Sequence, residues 1–171
     1  MEEETGPRVV IIRHSKERKA KCSLQPLVSF PGFVFYLHNK PWNWKHIPGE
    51  FPGSVRLDFE GPPLSQADAG YRLLLVDATW RYAKEVVKHE KVAACSPRSL
   101  LKEWKTAYPR RQTLCEDPER GLASVEALFA AFLQMGKLEL SWLDCYYWKQ
   151  DFLNKNAELI EWLCERKGLI C

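Results

Sequence analysis

Short apolar runs set off by polar, Gly- and Pro-containing stretches mark the first half of the chain. Val9-Val10-Ile11-Ile12 is β-branched throughout. Such a run predicts a buried strand, because branched side chains are restricted in a helix and pack well on a pleated surface. Phe33 to Leu37 predicts a second strand. Residues 38–63 hold enough Pro, Gly and Trp to predict loop, interrupted by a short strand at Val55-Arg56-Leu57. The basic stretch from Lys16 to Leu24 reads as a loop leading into a short helix. Leu73-Leu74-Leu75-Val76 is the clearest buried strand, and it runs into Asp77-Ala78-Thr79-Trp80. A helix is expected from Trp80 to Lys91, with Ala83, Val86 and Val87 on one face.

Beyond Pro97 the periodicity turns helical. Ser99 to Ala107 is one candidate helix, and Leu122 to Met135, closed by Gly136, is a stronger one. A last helix is predicted from Lys149 to Lys167, stopped by Gly168, with Phe152, Asn156, Leu159, Ile160 and Leu163 along one stripe. The expected organisation is an α/β half over 1–80 and a mainly helical half over 81–171, forming one compact unit that shares a ligand site. In α/β sheets ligands gather at the carboxyl ends of strands, which directs attention to Asp77 and its neighbours.

Composition narrows the class. Hydrophobic residues are 46% and charged residues 27% of the 171, which excludes a disordered chain. A net charge of +3 does not by itself require a nucleic-acid partner. The basic residues do cluster, however. Arg8, Arg13, Lys16, Arg18, Lys19 and Lys21 face one acid, Glu17, and Arg98, Lys102, Lys105, Arg110 and Arg111 face Glu103. These are either two solvated faces or one phosphate-facing side. The six Cys contain no C-x-x-C pair, and the acidic N-terminus lacks an apolar leader core. The expectation is reduced thiols in an intracellular, cytoplasmic protein without structural zinc. No apolar run is long enough for a membrane span. Phosphate-loop, dinucleotide-fingerprint, zincin and nucleophile-elbow signatures are absent. The four His are too dispersed to suggest a metal site.

Asp77 at a strand end has two readings: a helix cap, or a ligand-facing carboxylate. Thr79 could cap the following helix and leave Asp77 for a ligand. Trp80 and Ala83 are helical neighbours, and an aromatic beside a small residue makes either an apolar slot or plain core.

Asp77-Ala78-Thr79-Trp80 after an apolar strand resembles the D-x-T-W signature of the DTW-domain proteins. It is also similar to the D-C-S-W motif of the related ribosome-biogenesis aminocarboxypropyltransferases. Arg13-His14 and Lys21-Cys22-Ser23-Leu24 resemble those families' first strand and helix. Leu122-Ala123-Ser124-Val125-Glu126-Ala127 resembles their L-S-T-L-E-A motif. Tyr147-Trp148, Phe152-Leu153 and Asn156-Ala157-Glu158-Leu159 resemble the F-x-W…F-L-x-x-N-x-E-L tail of the ribosomal family. Residues 108–121 are closer to the DTW proteins, whose opening zinc-type cysteines this chain lacks.

The resemblance implies a SPOUT-like α/β sheet with a deep trefoil knot in the cofactor region, followed by a mostly helical C-terminal half. It implies transfer of the 3-amino-3-carboxypropyl (acp) group of S-adenosylmethionine to N3 of a uridine or pseudouridine, with rRNA favoured over tRNA. By this resemblance Trp80 and Ala83 enclose the cofactor methyl, Ser23 and the Val76 carbonyl meet the ribose, and Leu57, Leu100 and Leu101 border the adenine. Asp77 orients the acp group or takes the N3 proton. Glu126 is expected to be structural, since its motif opens a packed helix. Arg13, Lys16, Arg18, Lys19, Lys21, Arg110 and Arg111 would hold RNA phosphates, with Trp42 or Trp44 stacking bases. A monomer without metal is expected. An RNA methyltransferase on the same fold and a non-catalytic RNA-binding assembly factor stand as the alternatives.

Overall fold

The computed structural model describes residues 8–16, 22–38, 51, 53–109 and 121–170. The chain forms two compact units, the first Met1–Gly61 with Gly70–Arg98 and the second Pro62–Ala69 with Ser99–Cys171.

In the first unit the apolar runs become a five-stranded sheet. Its strands are β1 (Val9–His14), β2 (Phe33–His38), β3 (Ser54–Leu57), β4 (Arg72–Asp77) and β5 (Ser96–Arg98). Every pairing is parallel, in the order β2-β1-β4-β3-β5. A parallel sheet is covered on both faces, which is why β1 and β4 read as continuous apolar runs. Val10, Ile12 and Leu74 point to one face, where they pack with Val86 of α1 (Trp80–Val87), Val92 of α2 (Glu90–Ala93), Cys95 and Phe51. Val9, Ile11 and Leu73 point to the other face and are fully buried. Arg56 secures α2 by donating to the Val92 and Cys95 carbonyls at 2.9 and 3.3 Å. Gly61 has φ +96°, and a Cβ there would lie 2.6 Å from the Pro97 carbonyl oxygen, so the chain passes β5 only with Gly.

The second unit contains α3 (Ser124–Gln134), α4 (Lys149–Lys155) and α5 (Ala157–Lys167). Its core is aromatic: Trp104 lies 5.9 Å from Phe152 in a stack and 6.3 Å from Phe129 edge-on, and Phe132 meets Trp142 at 4.5 Å.

The structure departs from several expectations. Residues 99–107 form no helix. Their backbone groups are held by buried side chains instead: Gln134 accepts from the Leu101 N–H at 3.0 Å, Asn156 from Lys105 at 2.8 Å and Glu126 from Ala107 at 2.9 Å. The helix expected over 149–167 breaks at Asn156, whose Nδ2 donates to the Lys105 and Phe152 carbonyls at 2.8 Å each. The helix expected over 80–91 likewise divides, with His89 capping α2. Within the first unit, α1 and α2 complete the core and β5 pairs with β3. The thiol expectation changes at one position: Cys22, Cys95 and Cys145 are free, whereas Cys164 is disulfide-bonded.

Candidate functional site

In the strand order, the connection after β1 leads to β2 on one side. The connection after β4 leads across β3 to β5 on the other. Adjacent parallel strands whose connections depart in opposite directions leave a crevice at their carboxyl ends, where α/β sheets bind ligands. Asp77-Ala78-Thr79-Trp80 leaves the sheet at this point.

Register decides what meets there. Arg13 is paired with Asp77, and His14 with His38. Because side chains alternate along a strand, Arg13 and His14 serve opposite faces. On the first face Arg13 Nε donates to Asp77 Oδ2 at 2.9 Å, and the two side chains are 6% and 5% exposed. The other guanidinium nitrogens donate to Gln25 Oε1 at 3.1 Å and to Cys22 Sγ at 3.2 Å, with the Phe35 ring 4.9 Å away. The Cys22 thiol also donates to Asp77 Oδ2 at 3.2 Å. Burial, then the Asp77 charge, push the Cys22 thiol up to about 12. Since the thiolate is the reactive form, maleimide at pH 7–8 is expected to label exposed Cys145 and spare Cys22. Peptide mapping reads this directly, and comparable labelling of both would show that Cys22 is not held in the cluster.

On the α1 face the His14 ring stacks on Tyr82 at 4.1 Å with an interplanar angle of 8°, and His38 lies 5.2 Å from His14. Lys16 Nζ donates to the Tyr82 oxygen at 3.1 Å and sits 5.2 Å from its ring centroid. Thr79 occupies the N-cap of α1 in extended conformation, but its side chain makes no capping bond there. The helix start is organised by the Thr79 carbonyl, which accepts from Tyr82 and Ala83.

The sequence-derived residues are distributed as follows. Asp77 and Val76 end β4, Leu57 ends β3, and Trp80 opens α1. Ala83 is half-buried on α1, and Ser23 is half-buried in the turn after Cys22. Leu100 and Leu101 belong to the second unit, both half-buried. Lys16 is exposed. Arg13 is corrected: it is 5% exposed and committed to Asp77, so its guanidinium is a component of the fold rather than a surface contact for phosphates. Arg18, Lys19, Lys21, Arg110, Arg111, Trp42 and Trp44 lie outside the described residues. Glu126 is structural, with Ala123, Ala107, Thr106 and Tyr146 all donating to it. The sequence reading missed Cys22, Gln25, His14 and Tyr82 as members of this region. Strand register sets Arg13 beside Asp77 and His14 beside His38, while Cys22 and Gln25 join the first pair and Tyr82 joins the second from segments outside the sheet; the adjacency of Arg13 and His14 at a strand end was available as a signal.

Among the described residues no three or more His, Cys, Asp or Glu are grouped as a metal site. Nor is any helix among them long and apolar enough to cross a membrane. No protein-family profile and no curated protein matches this sequence. Among solved structures, the chain is similar to the SAM-dependent rRNA:acp-transferase Tsr3 from Vulcanisaeta distributa, with a TM-score of 0.68 and 23% identity over 94% of this chain and 84% of that one. The two proteins share a fold.

Proposed function

We propose that this protein transfers the acp group of S-adenosylmethionine to a uridine or pseudouridine in RNA, with rRNA the favoured substrate and tRNA the second. One observation carries the reading. Asp77-Ala78-Thr79-Trp80 departs from β4 at the switch point of a sheet belonging to a fold shared with an rRNA:acp-transferase. The SPOUT-type knotted path around that point is part of the proposal.

The donor set fits the cofactor. Ser23, Leu57, Val76 and Ala83 are each half-buried rather than sealed in the core, as residues lining a ligand must be. By the sequence resemblance, Ser23 and the Val76 carbonyl would hold the ribose, Leu57 would border the adenine, and Trp80 with Ala83 would enclose the methyl. Leu100 and Leu101 are assigned to the adenine on sequence resemblance. When bound, the cofactor supplies an electrophilic carbon next to a sulfonium. Which of its carbons meets the nucleophile depends on which the pocket leaves open. Asp77 positions: its Oδ2 is taken by Arg13 and Cys22, which fixes the end of β4 and the turn into α1. Lys16, Arg18, Lys19, Lys21, Arg110 and Arg111 contribute the electrostatic attraction for RNA.

The experiment uses the purified protein, unmodified rRNA and tRNA, and cofactor labelled either on the carboxyl carbon or on the methyl. Carboxyl label in RNA is expected. Methyl label would make the protein a methyltransferase, and RNA binding without transfer of either label would make it a binding factor.

A further inference from the structure

Transfer to N3 of a uracil requires that nitrogen to give up its proton, and Asp77 is already committed to Arg13 and Cys22. Cys22, pushed up to about 12, holds its own proton too firmly to accept another. Asp58, just past the end of β3, accepts at Oδ2 from Arg56 and at Oδ1 from the Phe59 and Glu60 N–H groups. His14 and His38 are only 3% and 2% exposed. Tyr82 differs from all of these. Its ring is pinned face to face on His14, while its oxygen meets Lys16 Nζ at the exposed surface. Lys16 is fixed at both ends, because its backbone N–H donates to His14 Nδ1 at 3.2 Å. One residue therefore ties a surface phenol to the carboxyl end of β1, on the same helix as Trp80 and Ala83.

We propose that Tyr82, hydrogen-bonded to Lys16, is the group that accepts the N3 proton of the target base. The inference rests on the acp-transfer reading. In the step, the N3 proton passes to the Tyr82 oxygen, and the N3 electron pair forms a bond to the terminal carbon of the acp chain. The C–S bond breaks with its electrons going to sulfur, and a neutral thioether departs. The phenol then returns its proton to water. The charges around Tyr82 favour this role. The Lys16 hydrogen bond holds the phenol below its ordinary value, desolvation opposes it, the Lys16 and Arg81 charges add to the lowering, Glu85 opposes it, and the His14 ring covers one face with His38 behind it. A depressed phenol is populated as phenolate at lower pH than free tyrosine, which brings it nearer the working range of a base.

The test compares wild type, Tyr82→Phe and Lys16→Met in single-turnover acp transfer across pH, with saturating S-adenosylmethionine and its affinity measured separately. Phe preserves the stack on His14. Tyr82→Phe is expected to lose about 100-fold in rate near pH 7 with cofactor affinity unchanged. The deficit should close as pH rises and the base ionises unaided. Lys16→Met should move the rising limb of the profile to higher pH. A wild-type rate in Tyr82→Phe, or a deficit equal at every pH, overturns the proposal. The phenolate absorbance of wild type minus Tyr82→Phe is read independently of turnover. A Tyr82 that ionises no lower than free tyrosine overturns the inference even where acp transfer proceeds. Absence of acp label in wild type instead removes the transferase reading and this step with it.

Discussion

Glu126→Ala should lower the unfolding free energy by about 3–5 kcal/mol, as expected when several buried donors lose a charged acceptor. Glu126 is fully buried. Its carboxylate accepts from the N–H groups of Ala107 and Ala123 at 2.9 and 2.8 Å and from the hydroxyls of Thr106 and Tyr146 at 2.7 and 2.9 Å. It also stands in the first turn of α3, where the helix dipole favours a negative charge. Ala123 has no side-chain acceptor at the N-cap, and Glu126 reaches back to accept from its N–H. Urea unfolding followed by far-UV circular dichroism measures the loss. Glu126→Gln keeps the shape but replaces one acceptor oxygen with a donor facing other donors, and it should recover only part of the stability. A wild-type midpoint for Glu126→Ala would mean that the four donors find other partners.

The second large effect concerns the Arg13–Asp77 pair. Removing one member of a buried ion pair typically costs about 3–5 kcal/mol, because the other charge stays buried without its counter-ion. Asp77→Ala and Arg13→Met should each approach this figure. Replacing both by apolar residues, Arg13→Met with Asp77→Leu, should restore most of the stability, since a buried pair rarely outperforms a well-packed apolar one. If the protein has the proposed acp-transfer activity, the same double variant should still fail in it, because the end of β4 is no longer fixed. Stability and transfer rates measured on all three variants check this. A double variant as unstable as the singles would show that the pair is needed to fold the sheet.

Much of the first unit was legible because a parallel sheet buries both faces, so β1 and β4 announce themselves as unbroken apolar runs. β5 was not legible. Ser96-Pro97-Arg98 has no apolar run and contains a proline, and it joins only as an edge strand. The false helix over 99–107 arose from Leu100, Leu101 and Trp104 at helical spacing. That pattern cannot reveal that Gln134, Asn156 and Glu126, all distant in sequence, take the segment's amides. At the site, Asp77 was legible from its place after an apolar strand. Arg13 was misread as surface charge, because a basic residue in a basic stretch looks solvated until register places it opposite a carboxylate. Tyr82 escaped notice because nothing local distinguishes it, and its importance comes from Lys16 and His14 on another element.

Residues 101–107 are gripped at main-chain atoms as well as at the side chains of Trp104 and Thr106, which donate to Gln134 and Glu126 at 3.0 and 2.7 Å. Gln134, Asn156 and Glu126 hold amide groups that any residue but proline would present. The path of this segment is therefore written largely into residues far along the sequence, with Trp104 and Thr106 as its own anchors. A substitution at Leu101 leaves the Gln134 hold on its N–H, and with it the course of the chain, in place.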